Sequence, residues 1–87
     1  MGNIGEIIVW FRDGQCSLLE TSGKVFLRPC CGEKVRITNF KGVHCQIKDV
    51  APGCYVVWGE TKHGKFSPLM VIVKCAETVC VNPILKG

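Results

Sequence analysis

The sequence predicts an all-β fold, a small antiparallel sandwich of two sheets and about seven strands, of the immunoglobulin-like or prealbumin-like type. Short segments in which apolar and polar residues alternate recur along the chain, and a period of two residues is typical of half-buried strands. Turn residues separate these segments roughly every eight to twelve positions, as in sandwiches and barrels. No segment shows the periodicity of an amphipathic helix.

The chain has the length of one small domain, and neither a linker nor a repeat divides residues 1–87. Its hydrophobic fraction of 47% and charged fraction of 21% are typical of a globular protein. A domain of this size buries only roughly 60–65% of its unfolded surface. We therefore expect a folded domain whose core is reinforced by covalent links or by association.

The first half of the chain contains four predicted strands. Asp13-Gly14 ends the first strand, because this dipeptide favours a tight hairpin turn. Pro29 ends the third, because proline cannot donate a hydrogen bond to a central ladder, and Gly32 permits the turn that follows. In order, these strands cover residues 6–12, 15–20 (the weakest), 24–28 and 33–40.

The second half contains four more predicted strands. The first of them has the clearest alternation, and Pro52-Gly53 then favours a type II turn. The next strand is apolar on both faces, and Pro68 opens the one after it. Pro83 places the last strand at a sheet edge. In order, these strands cover residues 43–49, 54–61, 69–75 and 79–85.

The segment Asp49-Val50-Ala51-Pro52-Gly53-Cys54-Tyr55, with the alternating strand before it, resembles the carboxypeptidase regulatory-like, or prealbumin-like, β-sandwich domains. In those domains an alternating strand runs into a Pro-Gly turn and a central strand that contains tyrosine. The resemblance covers residues 7–75. It implies about seven antiparallel strands in two sheets. Such domains act as stalks, adhesive modules, carbohydrate-binding companions or assembly subunits, and the family has no catalytic residues to transfer.

The distribution of charge does not indicate a nucleic-acid partner. The net charge is +4, but the eleven basic residues are scattered singly, whereas nucleic-acid-binding proteins cluster them. The apolar stretches at 7–11 and 69–73 are too short to cross a bilayer, so we expect no membrane insertion. The N-terminal sequence lacks the basic region and cleavage site of a secretory signal.

The cysteines indicate disulfides. Seven cysteines in 87 residues approach the density of a disulfide scaffold, and the odd number leaves one thiol free or paired between chains. Cys75 and Cys80 flank a short turn and are candidates for one bond. Cys45 and Cys54 are candidates for longer links, or else are reduced core residues. Disulfides favour an extracellular or cell-surface location, with the cytoplasm as the alternative.

No pattern of residues indicates a cofactor or an active site. Structural zinc sites use paired ligands such as Cys-x2-Cys, and this spacing is absent from the sequence. His44 lies on the polar face of its strand and His63 in a lysine-rich turn, so neither has a group that would orient it as a base. We expect a non-enzymatic protein without a cofactor. A cysteine-based metal-binding protein is the weakest alternative.

Surplus apolar residues and cysteines predict self-association. If alternate residues of the first strand face the core, Ile8 and Trp10 point outward on a possible edge strand, which favours pairing with another chain. The alternative is that a loop or residues 1–5 cover Trp10. The candidate assembly contacts are Ile8, Trp10, Cys16, Cys30 and Cys31.

These contacts predict a structural subunit that binds further copies of itself. Strand addition or interchain disulfides would join the copies, and the product would be a filament or fibre outside the cell or on its surface. The alternative is a monomeric module whose loop at 62–67 binds a carbohydrate or a protein.

Overall fold

The computed structural model describes residues 4–85, which form strands and turns and contain no helix. The strands are β1 (Gly5–Trp10), β2 (Thr21–Pro29), β3 (Arg36–Gly42), β4 (His44–Val50), β5 (Gly53–Thr61), β6 (Gly64–Val73) and β7 (Thr78–Val81). None of the described residues belongs to a helix that is long and apolar enough to cross a membrane.

The strands form a smaller sheet of three in the order β4-β1-β7 and a larger sheet of four in the order β3-β2-β5-β6. Strand β1 runs parallel to β7, and the other pairings are antiparallel. The structure thus confirms an all-β protein of seven strands in two sheets, consistent with a small β-sandwich. The parallel pair departs from a wholly antiparallel fold.

The hydrophobic core combines the inward residues of both sheets. Because side chains alternate between the faces of a strand, every second residue of β1 is buried. The smaller sheet contributes Ile7, Val9, Cys45 and Ile47, and the larger sheet Val25, Leu27, Val57, Val71 and Val73.

Three phenylalanines extend this core beyond the end of β1. The ring of Phe11 is fully buried and stacks on Phe40 of β3, with ring centroids 4.3 Å apart. Phe66 of β6 lies on another side, 6.1 Å away between centroids. Phe11 therefore joins the end of the smaller sheet to two strands of the larger one.

The predicted strand over 15–20 is not formed. The carboxylate of Asp13 accepts hydrogen bonds from the backbone N–H groups of Gln15 at 2.8 Å and Ser17 at 3.1 Å. Such local bonds offer the backbone an alternative to a ladder. The turn predicted at Asp13-Gly14 is present, but the returning chain makes only an isolated bridge at Leu18 before it crosses to the larger sheet.

Strand β6 is longer than predicted. Pro68, which was expected to open the strand, lies inside it. The register between β5 and β6 shifts between Val57 and Gly59, which pair with Leu69 and Phe66. Two residues of β6 are thus opposite one residue of β5, and such a bulge accepts a proline without the loss of a ladder bond. Strand β7 lies at a sheet edge, as predicted, but ends at Val81.

Candidate functional site

Among residues 4–85, the outer side of the larger sheet carries a broad uncovered apolar surface. Ile37 of β3 is 55% exposed, and Met70 and Ile72 of β6 are 73% and 63% exposed. Between these edges, the central strands present half-buried apolar residues toward the same side. We call this surface the outer apolar face, and it consists of Phe26, Ile37, Val56, Trp58, Met70 and Ile72.

Strand register makes the outer apolar face continuous. Phe26 on β2 lies opposite Ile37 on one side and Trp58 on the other. The rings of Phe26 and Trp58 stack, with centroids 5.4 Å apart and planes 13° from parallel. In the neighbouring row Val56 lies opposite Met70. Cross-strand pairs of this kind stabilise a sheet, and here they join the apolar side chains into one surface.

Charged residues border the outer apolar face. Lys24 lies opposite Glu60 in the ladder between β2 and β5. The carboxylate of Glu60 also lies 3.8 Å from the ammonium nitrogen of Lys65, and both side chains are largely exposed. Arg28 on β2 lies opposite Val56. An apolar centre within a charged rim is the usual arrangement of an interaction surface.

The size of the outer apolar face supports the same interpretation. Its three most exposed side chains have fractional exposures from 55% to 73%, and three partly exposed apolar side chains continue the surface between them. The largest apolar patch on a typical monomer measures roughly 300–600 Å² and is often functional.

The outer side of the smaller sheet is more polar than this surface. Ile8 and Trp10 do point outward, but both are half-buried. The ring of Trp10 lies 4.9 Å from that of His44. The prediction of an edge strand is wrong, because β1 pairs with β4 on one side and β7 on the other. Strand addition at β1 is therefore blocked. Residues 1–3 of the arm considered as a cover lie outside the described residues.

A polar network crosses this side of the molecule. The carboxylate of Glu6 on β1 accepts a hydrogen bond of 2.6 Å from the Gln46 amide on β4. Its other oxygen accepts one of 3.1 Å from the Thr78 hydroxyl on β7. Glu6 thus links the three strands and keeps one end of the smaller sheet hydrophilic.

One disulfide joins Cys30 to Cys54, with Cα atoms 5.5 Å apart. The end of β2 and the start of β5 bring the two residues together, and the Cys30 amide donates a hydrogen bond of 2.9 Å to the Cys54 carbonyl. Cys54 was a candidate for a disulfide, whereas Cys30 was predicted to link separate chains. The adjacency of β2 and β5, which decides this pairing, is not visible in the sequence.

The other cysteines carry free thiols. Cys75 and Cys80 do not pair, because the strands on either side of their turn belong to different sheets. Cys45 is a reduced core residue, which was the alternative to a disulfide at this position. The exposed thiols are those of Cys16, Cys31, Cys75 and Cys80.

Burial raises the pKa of the Cys45 thiol from 9.0 to about 11 and makes it inert. We expect iodoacetamide at pH 8 to label the exposed Cys75 and Cys80 of the folded protein and to leave Cys45 unlabelled until denaturant is added. Mass spectrometry of digested protein would measure this. Labelling of Cys45 at the rate of Cys75 would contradict the position of Cys45 in the core.

Because of this raised pKa, the free energy of unfolding decreases at alkaline pH. The folded state holds the Cys45 proton more tightly than the unfolded chain does, so this contribution is complete below pH 9 and is lost as the pH rises to about 11. Cys45→Ala should remove that part of the pH dependence, measured by urea unfolding at several pH values.

The two histidines lie on different elements, His44 on β4 beside Trp10 and His63 in a turn. Nδ1 of His63 lies 2.8 Å from the Thr21 hydroxyl, in the turn at residues 62–63 between β5 and β6. The loop predicted at 62–67 is therefore wrong over residues 64–67, which belong to β6. Within residues 4–85 no three His, Cys, Asp or Glu side chains are placed to hold a metal ion.

No protein-family model matches the chain, and no curated protein matches it significantly. Membership of the prealbumin-like family stays a prediction.

Proposed function

We propose that this protein is a non-enzymatic structural subunit that binds further copies of itself through the outer apolar face. The observation that supports the proposal is a continuous apolar sheet surface that is open to solvent, with Met70 at 73% and Ile72 at 63% exposure. Exposure of such a surface is unfavourable for an isolated domain, and burial against a partner contributes about 25 cal/mol for each Å².

A second copy is the partner that fits this surface best. A stable interface buries roughly 800 Å² on each side, which the outer apolar face and its charged rim would have to supply together. Two copies of a twisted sheet can pack face to face, as the two sheets of a sandwich do. In a two-fold arrangement the rim of one copy meets the same rim, so that Glu60 can approach Lys24 of another copy.

Cysteines and free edges extend a pair of copies into a filament. The disulfide Cys30–Cys54 supports an extracellular or cell-surface location, because disulfides persist in oxidising compartments. There the exposed thiols of Cys16 and Cys31 would pair between chains. Strands β3 and β6 end the larger sheet and offer edges for strand addition.

Sedimentation equilibrium of a double variant, Met70→Thr with Ile72→Thr, tests the proposal. Threonine keeps the strand propensity and removes apolar contact area, so we expect the dissociation constant of the dimer to rise about 100-fold. Circular dichroism should show an unchanged fold, because both side chains point away from the core.

The matched control is Ile8→Thr, which makes one outward strand position polar on the smaller sheet. It should leave the dissociation constant unchanged. Two results would overturn the outer apolar face as the contact. One is a wild-type protein that sediments at 9.6 kDa at millimolar concentration. The other is a loss of association in Ile8→Thr but not in the double variant. Gel electrophoresis without reductant should show a ladder of linked subunits, and a single band would exclude the interchain disulfides.

A further inference from the structure

A cleft opens between the two sheets at one end of the sandwich, with a volume of about 640 Å³. Its walls come from the end of β2, the start of β3 and the turn between β4 and β5. Small-molecule sites usually measure roughly 300–1,000 Å³. The cleft shares no residue with the outer apolar face, so its occupant does not depend on self-association.

The inner part of the cleft is apolar. Leu27 and Val50, which are 3% and 2% exposed, belong to the hydrophobic core and form part of the lining. Val35, at 40% exposure, extends the apolar wall toward solvent. The hydroxyl of Tyr55 donates a hydrogen bond to the Ala51 carbonyl across the β4–β5 turn, which fixes the ring beside the cleft.

The mouth of the cleft is cationic. The guanidinium of Arg36 donates hydrogen bonds to the backbone carbonyls of Lys48 and Asp49, so it is held between β3 and β4. Lys34 lies beside it and is exposed. Neither cation lies within 4.0 Å of a carboxylate oxygen of residues 4–85. Asp49 contributes one carboxylate to the lining, and the mouth retains an excess of positive charge.

We propose that this cleft binds an organic anion with an apolar body, of the class of medium-chain carboxylates. The carboxylate would accept hydrogen bonds from Lys34 and from the free N–H groups of Arg36, which carbonyl contacts hold in position. The alkyl chain would lie against Leu27 and Val50. An oriented arginine over an apolar floor provides both parts of this recognition.

Titration of the ¹⁵N-labelled protein with sodium octanoate, followed by NMR, tests the proposal. Amide shifts should concentrate at Lys34, Arg36, Ala51 and Tyr55. In Lys34→Glu the dissociation constant for octanoate should rise about tenfold, because a cation near the carboxylate becomes an anion. Sodium acetate, which has the carboxylate without the chain, should give no saturable shifts at the same concentrations.

The matched control is Lys62→Glu, which makes the same change in net charge in the turn between β5 and β6, away from the lining of the cleft. It should bind octanoate like the wild type. An equal loss in both variants would mean that net charge alone attracts the anion and would overturn the site. Shifts confined to Met70 and Ile72, or equally tight binding of 1-octanol, would also overturn it.

Discussion

Replacement of Phe11 with alanine is expected to lower the free energy of unfolding by about 4 kcal/mol, within the range of buried phenylalanine truncations. The ring is 0% exposed and contacts phenylalanines from two strands of the larger sheet. Its removal opens a cavity where the sheets meet. A domain of this size has a total stability of roughly 5–10 kcal/mol, so the melting temperature should fall by about 20 °C.

Thermal and urea unfolding, followed by circular dichroism, would measure this effect. Leu18→Ala is the matched control, because Leu18 is also a large apolar residue near the same turn but is 49% exposed. We expect its effect to remain below about 0.5 kcal/mol. Similar losses in the two variants would contradict the position of Phe11 in the core.

Removal of the disulfide, by Cys30→Ala with Cys54→Ala, is expected to destabilise the protein almost as much. The bond joins residues 24 positions apart. Closure of a loop of about 25 residues in the unfolded chain corresponds to about 3.5 kcal/mol on the chain-entropy scale. The double substitution leaves no unpaired thiol at this position, and the loss should appear in urea unfolding without reductant.

Cys31→Ala provides the control for this experiment, because Cys31 is the exposed neighbour of Cys30 and carries a free thiol. Its substitution should change the free energy of unfolding by less than about 0.5 kcal/mol. A loss as large as that of the double variant would show that Cys31 rather than Cys30 is bonded to Cys54. Addition of reductant to the wild type should reproduce the double variant.

Much of the fold could be predicted from local patterns. The alternation over 43–49 and the turn at Pro52-Gly53 place β4 and β5 within a residue of their observed bounds. The weak strand predicted over 15–20 does not form, because the Asp13 side chain accepts hydrogen bonds from backbone N–H groups that a ladder would have used. The strand predicted for β6 was too short, because a proline usually marks a strand boundary unless a bulge accommodates it.

The candidate surface was harder to predict, because exposure depends on which strands are neighbours. The apolar run at the end of β6 does not reveal that Met70 and Ile72 point outward while Val71 and Val73 are buried. In the same way, outward apolar residues on β1 indicated an edge, and only the sheet order shows β1 to be central. Apolarity on both faces of β5 was the one signal in the sequence for the outer apolar face.

Strand order in the smaller sheet also has a consequence for biosynthesis. Strand β1 is synthesised before the other strands, but one of its two ladders forms only with β7. The hydrogen bond from the Thr78 hydroxyl to Glu6, across 72 positions, illustrates this separation. On the ribosome, β1 therefore has an open edge until residues 78–81 have left the exit tunnel. Completion of the smaller sheet is a late event with a long loop to close, which slows folding. During that interval β1 pairs with β4 on one side only, and an unpaired strand edge favours premature contacts with other chains.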